Sequence, residues 1–256
     1  MKVFILITEP KSGPKENALL CFDTIRVGFP TWEIHATLND ESTTTTSFYI
    51  AFTKKCEKAQ VKPHFSQIRQ HHAKWIEQAL YIGNYNKPLV ILDGDTIFWE
   101  NCEGFTFPTL LAGYFVPFHH NEYSRCMTVS RLHTSFLWIK DPTRIEATLL
   151  EKCPDRHNLY LPFNPFLPHF TFMNDAMWFW DTCAELYQCL GGTAFEEKHL
   201  NCFDHLNSAS FYPEMLERLS NREGFQKMHE LAHTEPQKLR GLWKEIDLYY
   251  KGRGCV

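Results

Sequence analysis

The stretch LVILDGDTIFWE, residues 89–100, decides how this chain is read. Leu89 to Leu92 is an unbroken apolar run, the pattern of a strand buried on both faces of a parallel sheet. Asp93 and Asp95 stand one residue apart at its end. Carboxylates this close repel each other unless a cation lies between them. A hard divalent ion with oxygen ligands, Mn2+ or Mg2+, removes that repulsion. Gly94 permits a tight bend between the acids, and Thr96 adds a hydroxyl nearby. The plainer alternative is a pair of solvated turn acids, since Asp and Gly are common in turns.

Working upstream, Val3 to Ile7 is a second continuous apolar run, followed by a loop at Pro10, Ser12, Gly13 and Pro14. Ala18, Leu19, Phe22 and Ile25 recur at helical spacing and stop before Gly28 and Pro30. Trp32 to Leu38 alternates like a strand and runs into the polar cluster Asn39-Asp40-Glu41-Ser42; the Thr43–Thr46 run continues that loop. Phe65, Ile68, His72, Trp75, Ile76, Ala79 and Leu80 form one helical face, closed by Gly83-Asn84. The order strand, helix, strand, helix, strand predicts an α/β domain with a parallel sheet, the two acids ending its third strand. Ligands of such sheets bind at the carboxyl ends of the strands. Residues 8–14, 39–42 and 93–95 are therefore expected to converge.

Downstream the pattern is less regular. Thr134 to Ile139 reads as a strand, and Pro154 to Pro168 as a long loop. Asn174 to Leu190 reads as a helix that Gly191-Gly192 ends. Pro213 to Leu219 and Glu235 to Tyr250 read as further helices. Without a repeat or a clear linker, residues 1–256 are expected to form a single domain.

Composition narrows the class. Hydrophobic residues at 44% and charged residues at 22% are ordinary for a globular chain, and aromatics at 15% predict a bulky core or a ring-walled pocket. A net charge of −4 gives no global pull towards nucleic acid or anionic membrane. Nine cysteines, an odd number with no CxxC, fit reduced thiols and a cytoplasmic location better than a disulfide framework. No apolar stretch approaches the ~20 residues of a membrane span, and the start is too short for a signal peptide.

A strand ending in Asp93-Gly94-Asp95 after two strand–helix units resembles the DxD region of GT-A-fold glycosyltransferases. The resemblance covers roughly residues 1–140 by order of elements and is specific at the DxD. It implies a GT-A-like (Rossmann-like) central, mostly parallel sheet flanked by helices. Residues 1–100 would form a nucleotide-sugar-binding half, and residues 101–256 an irregular acceptor half. The implied activity is metal-dependent transfer of a sugar from a nucleotide-diphosphate donor, a UDP-sugar by default, to a hydroxyl acceptor. The resemblance leaves the acceptor open among a saccharide, a protein and modified DNA.

The resemblance also assigns residues. Thr8 and Glu9, after the first strand, would lie near the nucleotide, and Asn39 and Asp40 near base or ribose. Asp93 would lie near ribose and metal, and Asp95 would ligate the Mn2+ or Mg2+ directly. His205 is the candidate for a later metal ligand, with His199 second. Asp175 is the candidate base on the acceptor hydroxyl. In its bland reading it is a first-turn acid stabilised by the helix dipole, with Asn174 as N-cap. Trp138, Trp178 and Phe172 could pack against a sugar or base ring, although core packing is the default for each. His71-His72 and His119-His120 match no zinc spacing and receive no role.

Lys54, Lys55, Lys58, Lys62, Arg69 and Lys74, with a second cluster between Lys238 and Arg253, read first as solvated faces. Their sharper reading is a phosphate-facing patch, which would suit a hydroxymethylated DNA base of phage type as acceptor. Three rivals stand beside the transferase. A haloacid-dehalogenase-like phosphatase would need Gly after its second Asp, where this chain has Thr96. A nucleotidyltransferase would need a Gly-rich, basic phosphate loop after the first strand. A binding module without turnover would share the metal site.

Overall fold

The computed structural model describes residues 1–10, 15–82, 87–121, 126–152, 166–173 and 176–205. The chain begins with β1 (Lys2–Thr8), α1 (Cys21–Gly28), β2 (Glu33–Asn39), α2 (Thr46–Lys58), β3 (Lys62–Phe65), α3 (His72–Ile82) and β4 (Leu89–Asp93). It continues through β5 (Thr96–Phe98), β6 (Leu111–Val116), β7 (His119–Asn121), β8 (Cys126–Thr128), β9 (Arg131–Ile139) and α4 (Thr143–Lys152). The last described elements are β10 (His169–Met173), β11 (Ala176–Trp180), α5 (Ala184–Leu190), β12 (Thr193–Ala194), α6 (Glu197–Leu200) and β13 (Phe203–His205).

Seven strands form one sheet in the order β12-β6-β9-β4-β1-β2-β3. β3, β2, β1 and β4 are mutually parallel, and β9 runs against both β4 and β6. The architecture is the expected one, an α/β layer with a mostly parallel central sheet flanked by helices. A second sheet, β10-β11-β8-β7, and a two-stranded ribbon, β13-β5, stand beside it.

The continuous apolar runs have a simple cause. Val3, Ile5 and Ile7 of β1 and Val90 and Leu92 of β4 face a cluster that holds Phe22, Ile25 and Phe52. Phe4, Leu89 and Ile91 point the other way, into a cluster with Trp75, Ile76 and Leu186. With both faces covered, successive residues must all be apolar.

Three expectations needed correction. The helix drawn from Phe65 starts only at His72; Phe65 ends β3, and Ile68, 73% exposed, lies in the connection. β3 escapes periodicity because it is an exposed edge strand carrying Pro63, a residue tolerated only at edges. The DGD strand is consequently fourth in the chain. The threonine run contains a cap: Thr45 accepts the Phe48 amide, and α2 follows at once. The helix drawn over Asn174–Leu190 is half strand. The aromatic residues of β11 pair with β10 and β8, and helix begins only at Ala184. Its end is as expected, at Gly191 with φ +68°. The segments read as a loop over residues 154–165 and as helices over residues 213–219 and 235–250 lie outside the described residues.

Arg26 shows how the helices are fixed to the sheet. Its guanidinium donates to the carbonyls of Ala59 (2.8 Å), Gln60 (2.6 Å), Phe29 (3.1 Å) and Trp32 (2.9 Å). Arg26→Met strands several of these acceptors and is expected to cost about 2–4 kcal/mol in denaturant unfolding. Arg26→Lys should recover only a fraction, because an ammonium cannot reproduce the planar fork.

Acid should destabilise the metal-free fold. Burial holds the imidazoles of His35 and His199 below their ordinary range, and that of His133 well below it. The unfolded chain takes up these protons near pH 6.5, whereas the folded protein resists them. The stability they contribute is present above that pH and lost as pH falls towards the folded values. Thermal midpoints of metal-free protein should therefore fall between pH 7.5 and 5.

Candidate functional site

A cleft of about 680 Å3 opens at the carboxyl ends of β1 and β4, a volume suited to a small-molecule ligand. Thr8, Glu9, Asn39, Asp93, Asp95 and His205 all line it. Asp93 is the last residue of β4, so the strand itself delivers its carboxylate to the cleft. The chain then passes Gly94 and turns into β5, which brings Asp95 alongside.

His205 arrives from 110 residues away by strand pairing. β13 runs antiparallel to β5, and His205 lies directly opposite Thr96. Its Nε2 sits 3.0 Å from Asp95 Oδ1 and 3.6 Å from Asp93 Oδ2. Thr96 faces away: its buried hydroxyl donates to the Ser135 carbonyl at 2.9 Å and offers no ligand. It fastens β5 to β9 instead.

Two histidines join them. His72, given no role from sequence, lines the cleft with Nε2 3.7 Å from Asp93 Oδ1. That nitrogen is buried and makes no hydrogen bond among the described residues. His133 packs its ring 5.2 Å from that of His205. Asp93, His133 and His205 each bring one ligand-type atom within 4.8 Å of the others. Sequence reasoning missed His133 by one position, because the strand was started at Thr134 while β9 begins at Arg131. Farther along the wall, Arg131 Nη2 pairs with Asp181 Oδ2 at 2.6 Å.

Buried and mutually close charges set the electrostatics of the cleft. Burial pushes the Asp93 carboxyl above its usual range; His72 and His205 oppose this, while Asp95 and Asp181 add to it. Two carboxylates and an imidazole suit Mn2+ or Mg2+, and a divalent ion would relieve the crowding of Asp93 against Asp95.

Other assigned residues have structural work. Asn39, 3% exposed, donates to Thr8 Oγ1 (3.2 Å) and the Gln70 carbonyl (3.0 Å) and accepts from the Gln70 amide (2.7 Å). Its amide hydrogens are spent on the cleft wall, not free for base or ribose. Asp40 does not line the cleft. It adopts a left-handed conformation, φ 61°, and its carboxylate accepts from the side-chain hydroxyls of Thr43 (2.7 Å) and Ser42 (2.9 Å) in the following turn. Glu9 lines the cleft, but accepts from the Thr45 amide and hydroxyl, both at 2.6 Å, and pairs with Lys15. Burial would raise its carboxyl; these partners outweigh it and hold the group below the usual range.

His199 is not a ligand. It accepts the Glu196 amide through Nδ1 at 3.1 Å and packs against Phe105 and Phe107. Trp138 is buried against Phe107 in the core and does not line the cleft. Trp178 packs on Phe118. Asp175, Asn174 and the Phe172 side chain lie outside the described residues. Half of the basic stretch is paired: Lys55, Lys62 and Lys74 meet Asp23, Glu33 and Glu77. Arg69 lines the cleft. No helix among the described residues is long and apolar enough to cross a membrane.

No family model matches this chain, and no curated protein matches it. Solved structures do. The mannosyltransferase PcManGT from Pyrobaculum calidifontis, in complex with GDP-Man and Mn2+, aligns with 58% of this chain at 16% identity and a TM-score of 0.37; the match covers 45% of that protein. PaToxG glycosyltransferase aligns with 94% of this chain and 86% of its own at 11% identity, TM-score 0.42. A glucose-1-phosphate thymidylyltransferase from Bacillus anthracis, described as putative in its own name, aligns with 87% and 94% at 10% identity, TM-score 0.45. Likeness at this level assigns no chemistry to the chain, and the reading below rests on its own residues.

Proposed function

We propose that the protein is a metal-dependent glycosyltransferase that moves a sugar from a nucleoside-diphosphate donor to a hydroxyl acceptor. One observation carries the reading. Asp93, Asp95 and His205 converge at the carboxyl end of a parallel sheet, in a cleft large enough for a nucleotide-sugar.

Asp93, Asp95 and His205 would hold a divalent ion, which when bound offsets the charge growing on the diphosphate leaving group. Glu9 and Asn39 keep the cleft walls in place, the first on the start of α2 and the second on the connection after β3. The Arg131–Asp181 pair walls the cleft beside Asp93. Asp175 keeps the role of base on the acceptor hydroxyl. The acceptor is sought among saccharides, proteins and hydroxymethylated DNA, and the donor among UDP- and GDP-sugars.

The test is release of nucleoside diphosphate from a panel of nucleotide-sugars, with Mn2+, Mg2+ or EDTA. Metal-dependent release with one donor, accelerated by one acceptor class, supports transfer. Binding without release under every condition would leave a binding module. Phosphate release from phosphomonoesters, with no nucleotide-sugar used, would turn the reading to a phosphatase.

A further inference from the structure

His133 owes its setting to an irregularity in the main sheet. Along β6 and β9, Gly113 faces Leu137 but the next residue, Tyr114, faces His133. Thr134, Ser135 and Phe136 thus have no partner on β6, a bulge of the kind that re-aims side chains near active sites. At that point Gly113 is obligatory, because a Cβ there would lie 2.9 Å from the Phe136 carbonyl. Within the bulge the Ser135 amide turns back and donates to Nδ1 of His133 at 3.0 Å.

That bond decides the tautomer. A neutral imidazole has one bare nitrogen and one N–H. With Nδ1 accepting, the hydrogen is on Nε2. Ligation through Nε2 would require the hydrogen to move to Nδ1, where it would meet the Ser135 N–H head on. The structure therefore separates His133 from His205, although distance alone groups both with Asp93.

We propose that His133 is a hydrogen-bond donor of the cleft, its Nε2–H presented to a diphosphate oxygen of the bound nucleotide, and that it is not a metal ligand. The proposal rests on the nucleotide-sugar reading above. It deepens that reading by dividing the histidines into one that holds the ion and one that holds the anion.

Three measurements test it. In wild-type protein with 15N-labelled histidine, the His133 ring should show a bare Nδ1 and a protonated Nε2; the opposite tautomer overturns the proposal. Mn2+ affinity, from the EPR signal of free Mn2+, should stay within about threefold in His133→Phe and His133→Gln. A loss of tenfold or more in both marks a ligand and overturns the proposal. Affinity for UDP or GDP in the presence of Mn2+ should fall about tenfold or more in His133→Phe, the scale of a hydrogen bond to a charged group. It should return in His133→Gln, whose amide nitrogen can occupy the place of Nε2. Unchanged affinity in His133→Phe overturns the proposal. Wild-type protein that binds Mn2+ but neither nucleotide defeats the glycosyl-transfer reading itself, while the 15N pattern still reports the tautomer.

Discussion

Asp93→Asn and Asp95→Asn are each expected to abolish stabilisation by Mn2+ while leaving the metal-free protein no less stable than wild type. The two halves of this result have one cause. Without an ion, Asp93 is a carboxyl pushed up by burial and by a second carboxylate two residues on. Removing either charge removes the repulsion, and an amide fills the same space. With an ion, the same charges are the ligands. At Mn2+ about 100 times its Kd, binding adds about 2.7 kcal/mol to the folded state. For a chain of this length that raises the thermal midpoint by roughly 5–10 °C. Each variant should lose that rise, and turnover should fall by about 10²–10³-fold or more. Solvated turn acids would behave differently: wild type would show no Mn2+ response, and neither substitution would change stability by more than about 0.5 kcal/mol.

How much of this site could be read beforehand depends on how each residue reaches it. Asp93 and Asp95 were legible because a run buried on both faces announces a parallel strand, and strand ends hold ligands. His205 was singled out from thirteen histidines, but its place opposite Thr96 comes from a three-residue strand too short to show periodicity. His133 depends on a bulge, a departure from the regular pattern that sequence periodicity detects. His72 sits on a helix start that moved seven residues once β3 took Phe65, and that shift brings it to the cleft, a place the earlier boundary did not show. Asn39 and Asp40 fell where expected along the chain, yet local hydrogen bonds turned one into a clamp and tied the other to the hydroxyls of its own turn. The order of elements follows from burial, which composition records. The use of each polar atom follows from partners distant in sequence, which it does not.

Gly94→Ala is expected to damage both the fold and the site, even though it touches neither carboxylate. A flexible bend alone would tolerate alanine at little cost. The structure gives a harder constraint. A Cβ at position 94 would stand 2.4 Å from the Ala18 carbonyl oxygen and 2.6 Å from Ile7 Cδ1. The isoleucine tip can rotate away, but the carbonyl is backbone and cannot. The two segments are also tied, because the Cys21 amide donates to the Gly94 carbonyl at 2.9 Å. Alanine must therefore push the turn that leads into α1 away from the Asp93–Asp95 turn or shift the latter itself. Forced overpacking of this kind costs about 1–3 kcal/mol, which lowers the midpoint by roughly 2–12 °C. Because both carboxylates ride on the displaced turn, Mn2+ affinity should fall with stability, whereas Arg26→Met should lose stability and keep Mn2+ affinity. A Gly94→Ala variant with wild-type stability and Mn2+ binding would mean that the glycine serves only the bend and that α1 does not hold the two acids in register.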